Sequence, residues 1–444
     1  QHGEKMAVEF KCSLGYFVNH EKSITEGCGS LPYTSIKNIF NTWEPYGQSK
    51  SKEQDSLQDS IGCTKVHEND SVPRKRKRKR KLPPNPGEIA AKEHHEKIRE
   101  KILCGIKLLS MFDEWNNYFN EERDTSEGSV GLQASFHNND FLEAINGKVL
   151  NYYLTVLSLA DDVPYKITDV VNRLVSNEKD DSMLMSVDGA TYILPPNSKF
   201  FLSDVAYFCK HFMHGTDCTK YDMIVIDPPW ENKSVKRGAK YLSLPLWEIK
   251  KLPVPEMACD KALVAVWVTN KQKYRNFVIE ELFSSWSCKL LGEWYWVKLT
   301  RKGEMVFDLD STHKKPYEPL IIGQFEILVD ENSSTGCSTL TKQCNDNNKN
   351  FSEKDTNKKN ILDESPTETV IPENQIICSV PCSLHSRKPP LNDIFREYLP
   401  QDAACIELFA RNLLPNWTSW GNEVLKYQHL EYFQSEKIIS CLNF

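Results

Sequence analysis

The sequence predicts an α/β domain around a mostly parallel sheet, preceded by a disordered basic segment and a small helical region. Three observations predict it. From Thr191 onward, short β-type runs alternate with helical ones, the texture of strand–helix–strand units. Within that stretch Met223–Ile226 is an unbroken apolar run, as a central strand buried on both faces requires, and it stops on Asp-Pro-Pro-Trp. Ahead of the domain, Ile98, Ile102, Leu103, Ile106 and Leu109 recur at three- and four-residue steps, the period of an amphipathic helix.

Taken in order, residues 1–87 are mixed and polar, with isolated apolar patches such as YTSIKNIF, and are expected to be mostly disordered. Arg74–Lys81 is an uninterrupted basic run between Pro73 and an LPPNPG turn. Such a run repels itself and stays extended. It is expected to act as a nuclear localisation signal, with a phosphate-binding arm or a solvated linker as the alternatives. Residues 88–190 form a helical accessory region, with a second helical stretch from Asp140 to about Ala160. The main domain spans 191–437. Its strands are expected at Tyr192–Leu194, Phe200–Ser203, Met223–Ile226, Leu263–Thr269, Trp294–Leu299, Pro319–Phe325, Ile376–Val380 and Cys405–Phe409, with helices at Lys271–Ser285 and Leu391–Tyr398. Residues 330–372 are polar and almost free of aromatics, a composition that does not offset its ordering entropy, so a disordered insertion is expected there.

Composition narrows the partners. With 444 residues, 40% of them hydrophobic, the chain has length for two or three domains. No apolar run approaches the ~20 residues that span a bilayer, and Ala262–Val268 is of strand length. No membrane partner is expected. The 14 cysteines follow no repeating spacing, which favours reduced thiols in an intracellular protein. Cys378, Cys382 and His385 have a C-x3-C-x2-H spacing but lack a fourth ligand, so no metal is expected. The chain opens on Gln1 rather than methionine, so its natural start is expected to be missing and a targeting leader stays open.

The chemistry concentrates at Asp227, Pro228, Pro229 and Trp230. Asp227 falls just past the carboxyl end of a central strand, where open α/β sheets place their ligands. Proline holds the residue before it extended. Pro228 and Pro229 also lack amide donors while keeping carbonyl acceptors. Two acceptors beside the flat ring of Trp230 describe a receptor for an amino group on an aromatic ring, such as the exocyclic amine of a nucleobase. Stacking on that ring would be worth ~1–3 kcal/mol. Lys233, Lys236, Arg237 and Lys240 follow, where they would add salt-dependent affinity for a nucleic-acid backbone. Arg301–Lys302 and His313–Lys315 are expected to extend that track. No covalent nucleophile is expected.

DPPW is followed in order by WVTN (Trp267–Asn270), KKPYE (Lys314–Glu318), HSRKPP (His385–Pro390), ELFAR (Glu407–Arg411) and PNWTSWGNE (Pro415–Glu423). Over about residues 191–433 this set resembles the adenine-amine methyltransferase family typified by the catalytic subunit of the messenger RNA adenosine methyltransferase. The resemblance implies a Rossmann-like fold in circularly permuted order, with the catalytic motif ahead of the cofactor-binding one. That order accounts for the lack of a glycine-rich loop before Asp227. It implies S-adenosyl-L-methionine as cofactor. Asp204 resembles the acid that takes the cofactor's adenine amine, and Val205 the residue that meets the same ring through its backbone. Lys388 resembles the partner of the methionine carboxylate, and Arg411, Asn422 and Glu423 the residues around the ribose. Other branches carry glutamine at the position of Glu423. The family's Arg-Pro-His-Asn stretch is shortened to Arg411-Asn412, which leaves its histidine contact unassigned. Taken singly, Asp204 also fits a helix cap, and Lys388 and Arg411 fit ordinary surface charges.

The resemblance implies direct methyl transfer to the N6 amine of adenine in single-stranded or flipped nucleic acid. One branch points to RNA, specifically 2′-O-methylated adenosine in small nuclear RNA, with DNA adenine as a second substrate. The rival from another class is a non-catalytic nucleic-acid-binding subunit, although such members carry an altered motif and DPPW is intact here. Methylation of a protein side-chain amide, as by NPPY-type relatives, is disfavoured by aspartate at position 227. A monomer in the nucleus is expected, with a hetero-partner and a cytosolic or mitochondrial location left open.

Overall fold

The computed structural model describes residues 7–35, 37–46, 86–120, 156–214, 219–231, 243–311, 314–327, 370–384 and 387–435. The basic run Arg74–Lys81, the loop carrying Lys233, Lys236, Arg237 and Lys240, and all but the last residues of the 330–372 insertion lie outside them.

The main sheet has 12 strands. Their order is Val8–Cys12, Gly15–Val18, Ile376–Ser379, Cys288–Lys298, Tyr317–Phe325, Ala258–Trp267, Tyr221–Ile226, Cys405–Leu408, Trp417–Trp420, Lys199–Phe201, Leu174–Ser176 and Val156–Ser158. Most neighbours pair in parallel; Tyr317–Phe325 runs against both of its neighbours. Tyr221–Ile226 is flanked by Ala258–Trp267 and by the late strand Cys405–Leu408, both parallel to it. That adjacency is the permuted arrangement expected of the fold.

Apolar side chains on both faces of the central strands hold the layers together. Ile224, Ile226, Val264, Val266, Ile406 and Leu408 face one layer, where Tyr274, Phe277, Val278 and Phe283 of the 272–285 helical stretch cover them. Met223, Val225, Leu263, Ala265 and Trp267 face the other, under Ile394 and Phe395. A run buried on both sides cannot alternate apolar with polar, which is why Met223–Ile226 reads as continuous.

Register aligns the strand ends. Ile226 pairs with Val266 and with Leu408, Leu408 with Trp420, and Trp420 with Phe201. Asp227, Arg411, Asn422, Glu423 and Asp204 therefore all emerge just beyond one edge of the sheet. Gly421 lets two of these loops touch, because a Cβ there would meet the Ala410 carbonyl oxygen at 2.5 Å.

Two sequence expectations are corrected. Residues 7–46 are not disordered throughout: Val8–Cys12 and Gly15–Val18 extend the main sheet beside Ile376–Ser379, and His20–Glu26 is a helix capped by Asn19. Their partner strand lies more than 350 residues away in the chain, so no local pattern announces it. The helical accessory region also divides. Pro86–Leu109 and Asp113–Phe119 are helices, but residues 156–194 are mostly short strands, including the antiparallel pair Met183–Val187 and Ala190–Leu194. The long helix lies against the sheet edge, burying Ile98, Ile102 and Leu109 with Phe10, Phe17, Tyr295 and Val297. His94 and His95 tie it there, His94 to Glu293 at 3.3 Å and His95 to Tyr317 at 2.9 Å and Asp310 at 3.2 Å. No helix among the described residues is long and apolar enough to cross a membrane.

Candidate functional site

At the carboxyl edge of the sheet, acidic and basic side chains from separate segments alternate. Lys298 bonds to Glu318, and Glu318 accepts from Lys388 at 3.2 Å. Lys388 Nζ lies 3.1 Å from Asp227 Oδ1 and 3.2 Å from Oδ2. Arg411 Nη1 approaches Asp227 Oδ2 at 3.6 Å and donates through Nε to Glu423 at 3.1 Å, and Lys426 closes the row on Glu423 at 2.9 Å. Each link is poorly exposed, so the charges hold one another in place of water.

This alternation sets the ionisation. Burial alone would raise the Glu318 carboxyl, but Lys298 and Lys388 outweigh it and bring it down to about 2. Burial would lower Lys388, but Asp227 and Glu318 hold it above the ordinary lysine value. Glu423 is likewise kept below the carboxylate range by Lys426 and Arg411, against its burial. Glu407 behaves oppositely. Burial and the neighbouring Asp227 charge push it up to about 8, with Arg411 and Lys388 only partly compensating.

Asp227 itself is buried, and its amide donates to the Leu408 carbonyl at 3.3 Å. The proline carbonyls are partly used: Pro228 accepts from the Trp230 amide at 2.8 Å and Pro229 from Leu244 at 3.2 Å. A carbonyl oxygen has two lone pairs, so each retains acceptor capacity.

Trp230 corrects the stacking-plate expectation. It is only 6% exposed, donates through Nε1 to the Trp267 carbonyl at 2.8 Å and packs on Tyr274 with ring centroids 4.7 Å apart. A buried indole needs an acceptor for its N–H, and the strand next door supplies one. The ring anchors the motif from below instead of offering a base an open face. Asn270 fixes the neighbouring loop by donating to the Tyr317 carbonyl at 2.6 Å.

The other site residues fall as follows. Asp204 caps the Val205–His214 helix, Oδ1 accepting from the Tyr207 amide at 2.7 Å, so the capping and site readings are not exclusive. Val205 is half-buried in the first turn and Asn422 is exposed. Arg301 does not join a basic track. Its guanidinium bonds to Glu21 at 2.7 Å, the Phe40 carbonyl at 2.9 Å and Tyr118 at 3.3 Å, clamping amino-terminal segments onto the domain. Cys378 and Cys382 are buried, with burial raising both thiols. Glu318, Lys298 and Glu407 carry no assigned role in the sequence reading. The KKPYE and ELFAR strings contain two of them, but only the fold reveals that they meet Lys388 and Asp227.

This edge fits a cofactor with an adenine at one end and a charged amino acid at the other. Asp204 keeps a second carboxylate oxygen for an amine, and Lys388 and Arg411 place two cations beside Asp227.

The MT-A70 family model matches residues 221–346 and 351–423. The N(6)-adenine-specific methyltransferase METTL4 of Mus musculus is 37% identical over 417 residues, covering 90% of this chain and 80% of the relative. The N6-methyladenosine RNA methyltransferase MTA1 of Pyricularia oryzae is 30% identical over 249 residues, covering 53% and 55%. The DNA N6-methyl methyltransferase of Caenorhabditis elegans is 31% identical over 246 residues, covering 55% and 56%. On its motif order, its sheet and these similarities, the chain belongs to the MT-A70 family of methyltransferases.

Proposed function

We propose that the protein transfers a methyl group from S-adenosyl-L-methionine to the exocyclic N6 amine of adenine in nucleic acid. The observation that carries this reading is Asp227: a buried carboxylate at the carboxyl edge of the central strand, beside two proline carbonyls and held by two cations. An adenine amine is a poor nucleophile because its lone pair is delocalised into the ring. The Asp227 carboxylate and the free lone pair of the Pro228 carbonyl would accept its two N–H bonds, drawing the nitrogen toward a tetrahedral, more reactive form. The cofactor supplies the electrophilic methyl group. Trp230 keeps Pro228 and Asp227 in register through its bond to Trp267. Lys388 and Arg411 hold the Asp227 carboxylate in place.

RNA is the preferred substrate in this reading, as 2′-O-methylated adenosine in small nuclear RNA, with DNA adenine second. The names of the relatives support the adenine and divide between RNA and DNA. The target is expected single-stranded or flipped, since a duplex engages the amine. Lys233, Lys236, Arg237 and Lys240 would track the strand's phosphates. The decisive experiment incubates the protein and Asp227→Ala with labelled cofactor and matched RNA, 2′-O-methyl RNA and DNA oligonucleotides. Label on adenine that disappears in the variant is expected. Cofactor binding without transfer to any adenine would leave a non-catalytic subunit as the reading. For Arg74–Lys81 nuclear import is proposed, and deletion of that run should abolish nuclear accumulation.

A further inference from the structure

Trp230 lies buried under the motif, so the strand that carries the target adenine finds no open aromatic face there. Such a face stands nearby. Of the ten tryptophans, eight are buried and Trp43 is half-buried; Trp247 alone is exposed, at 57%. It sits on the short helix Leu246–Lys250, whose other side is fixed. Ile249 is buried in the cluster that holds Trp230, and Leu246 packs against the same cluster. Residues three apart share a helix face, so Trp247 points away from the anchored side.

One hydrogen bond ties this helix to the catalytic motif. The Leu244 amide donates to the Pro229 carbonyl at 3.2 Å, and Trp247 lies three residues on, at most about 11 Å along the chain. The charges nearby suit an anion. Lys250 pairs with Glu281 at 3.7 Å, but Lys251 turns onto the indole, its Nζ 4.4 Å from the ring centroid. Two more exposed cations border the motif. Lys271 donates to the carbonyl of Glu231, the residue after Trp230, at 3.0 Å. Lys273 lies 4.4 Å from the ring of Tyr274, which packs on Trp230. A cation–π contact at an exposed site is worth ~0.5–1 kcal/mol, less than the ~1–3 kcal/mol of a base stacked on an aromatic ring. Lys251 therefore does not keep a base off the indole, and its charge stays at hand for the phosphate that the base carries. An apolar peptide would bring no such anion.

We infer that Trp247 and Lys251 form an accessory subsite for single-stranded nucleic acid, Trp247 stacking on an unpaired base that flanks the target adenine and Lys251 pairing with its phosphate. The inference rests on the nucleic-acid reading above and adds where the strand beside the target is held. Lys271 and Lys273 extend the contact as phosphate partners. Every base has a π-face, so stacking here tolerates sequence. The subsite selects instead for an unpaired strand over a duplex, whose bases are already stacked. A surface pair that serves only its own helix is the competing account, and it predicts no dependence on the flanking base.

Anisotropy titration of the full chain against two labelled single-stranded RNA oligonucleotides separates the accounts. Both carry one adenine; in the second, the nucleotides on either side of it keep their phosphates but lack bases. The wild type should prefer the intact strand. Trp247→Ala should weaken that strand about 5- to 150-fold, the worth of one stacked base, and leave the abasic strand unchanged. Trp247→Phe should recover most of the loss. Lys251→Gln should weaken both strands alike and lower the salt slope by about one. In methyl transfer, Trp247→Ala should raise KM with little change in kcat. Unchanged affinity of Trp247→Ala for the intact strand overturns the inference, as does equal weakening of both strands. A wild-type dimer in sedimentation that Trp247→Ala abolishes would assign the ring to a second copy and overturn it too. Failure of the wild type to bind these strands or their DNA counterparts would instead overturn the nucleic-acid reading, and this inference with it.

Discussion

Arg411 is half-buried and Arg387 buried, both close to Lys388, yet their surroundings are opposite. Arg411 donates to Glu423 and approaches Asp227, so its charge is matched twice by carboxylates. Arg387 sits over the face of Tyr427 among thiols and phenols, within electrostatic reach of Glu407 but in no ion pair among the described residues. One arginine is ion-paired within a charged network; the other is packed on an aromatic face without an ion pair. Burial of a charge alone therefore does not say how it is compensated. The identity of its partners does.

The widest separation between the two should appear in stability. Arg411→Met strips a partner from two poorly exposed carboxylates and should cost about 3–5 kcal/mol. Arg387→Met removes an unmatched buried cation and puts an apolar chain in its place, so stability should change by less than ~1 kcal/mol or rise. Denaturant unfolding of both variants, without ligand, checks this. Equal losses would erase the distinction between the two arginines.

Glu407 tests the same contrast from the acidic side. Its folded-state value of about 8 lies well above that of an unfolded glutamate. Between pH ~4.5 and ~8 the folded protein keeps a proton that the unfolded chain has lost, so this residue lowers stability as pH rises through that window. Glu407→Gln lacks the effect. The variant should match wild type near pH 5 and gain about 2–4 kcal/mol over it by pH 8. Parallel pH–stability curves for the two proteins would show that Glu407 is not the buried neutral acid described.

Much of this site was legible in the sequence, and the part that was not has a physical reason. The strand Tyr221–Ile226 and its Asp-Pro-Pro-Trp ending are local signals, an apolar run followed by residues with fixed backbone preferences. The late strand Cys405–Leu408 was legible for the same reason. Trp230 was misjudged because an aromatic residue looks the same in sequence whether its face is open or packed on Tyr274. Gly15–Val18 was missed because its partner, Ile376–Ser379, is remote in the chain. His20 and Arg387 share that obstacle: only the fold brings the two residues to one recess.

The smallest expected effect concerns Glu318, the acid whose two lysine partners place it firmly on the matched side of the comparison. Its folded-state carboxyl value of about 2 lies below that of an unfolded glutamate. Its contribution is therefore complete above pH ~4.5 and is lost as pH falls toward ~2. Because the side chain is 27% exposed, solvent screening reduces the gain, and about 1–2 kcal/mol is expected at neutral pH. Glu318→Gln should lose that amount at pH 7 and converge on wild type in acid. It should also free Lys388 from one of its two anchors, Asp227 remaining as the other. Methyl transfer should then fall by more than the stability change explains, because a less fixed Lys388 holds Asp227 less firmly against the adenine amine. If Glu318→Gln loses stability as expected while its transfer rate matches wild type, Glu318 supports the fold alone and takes no part in positioning Lys388.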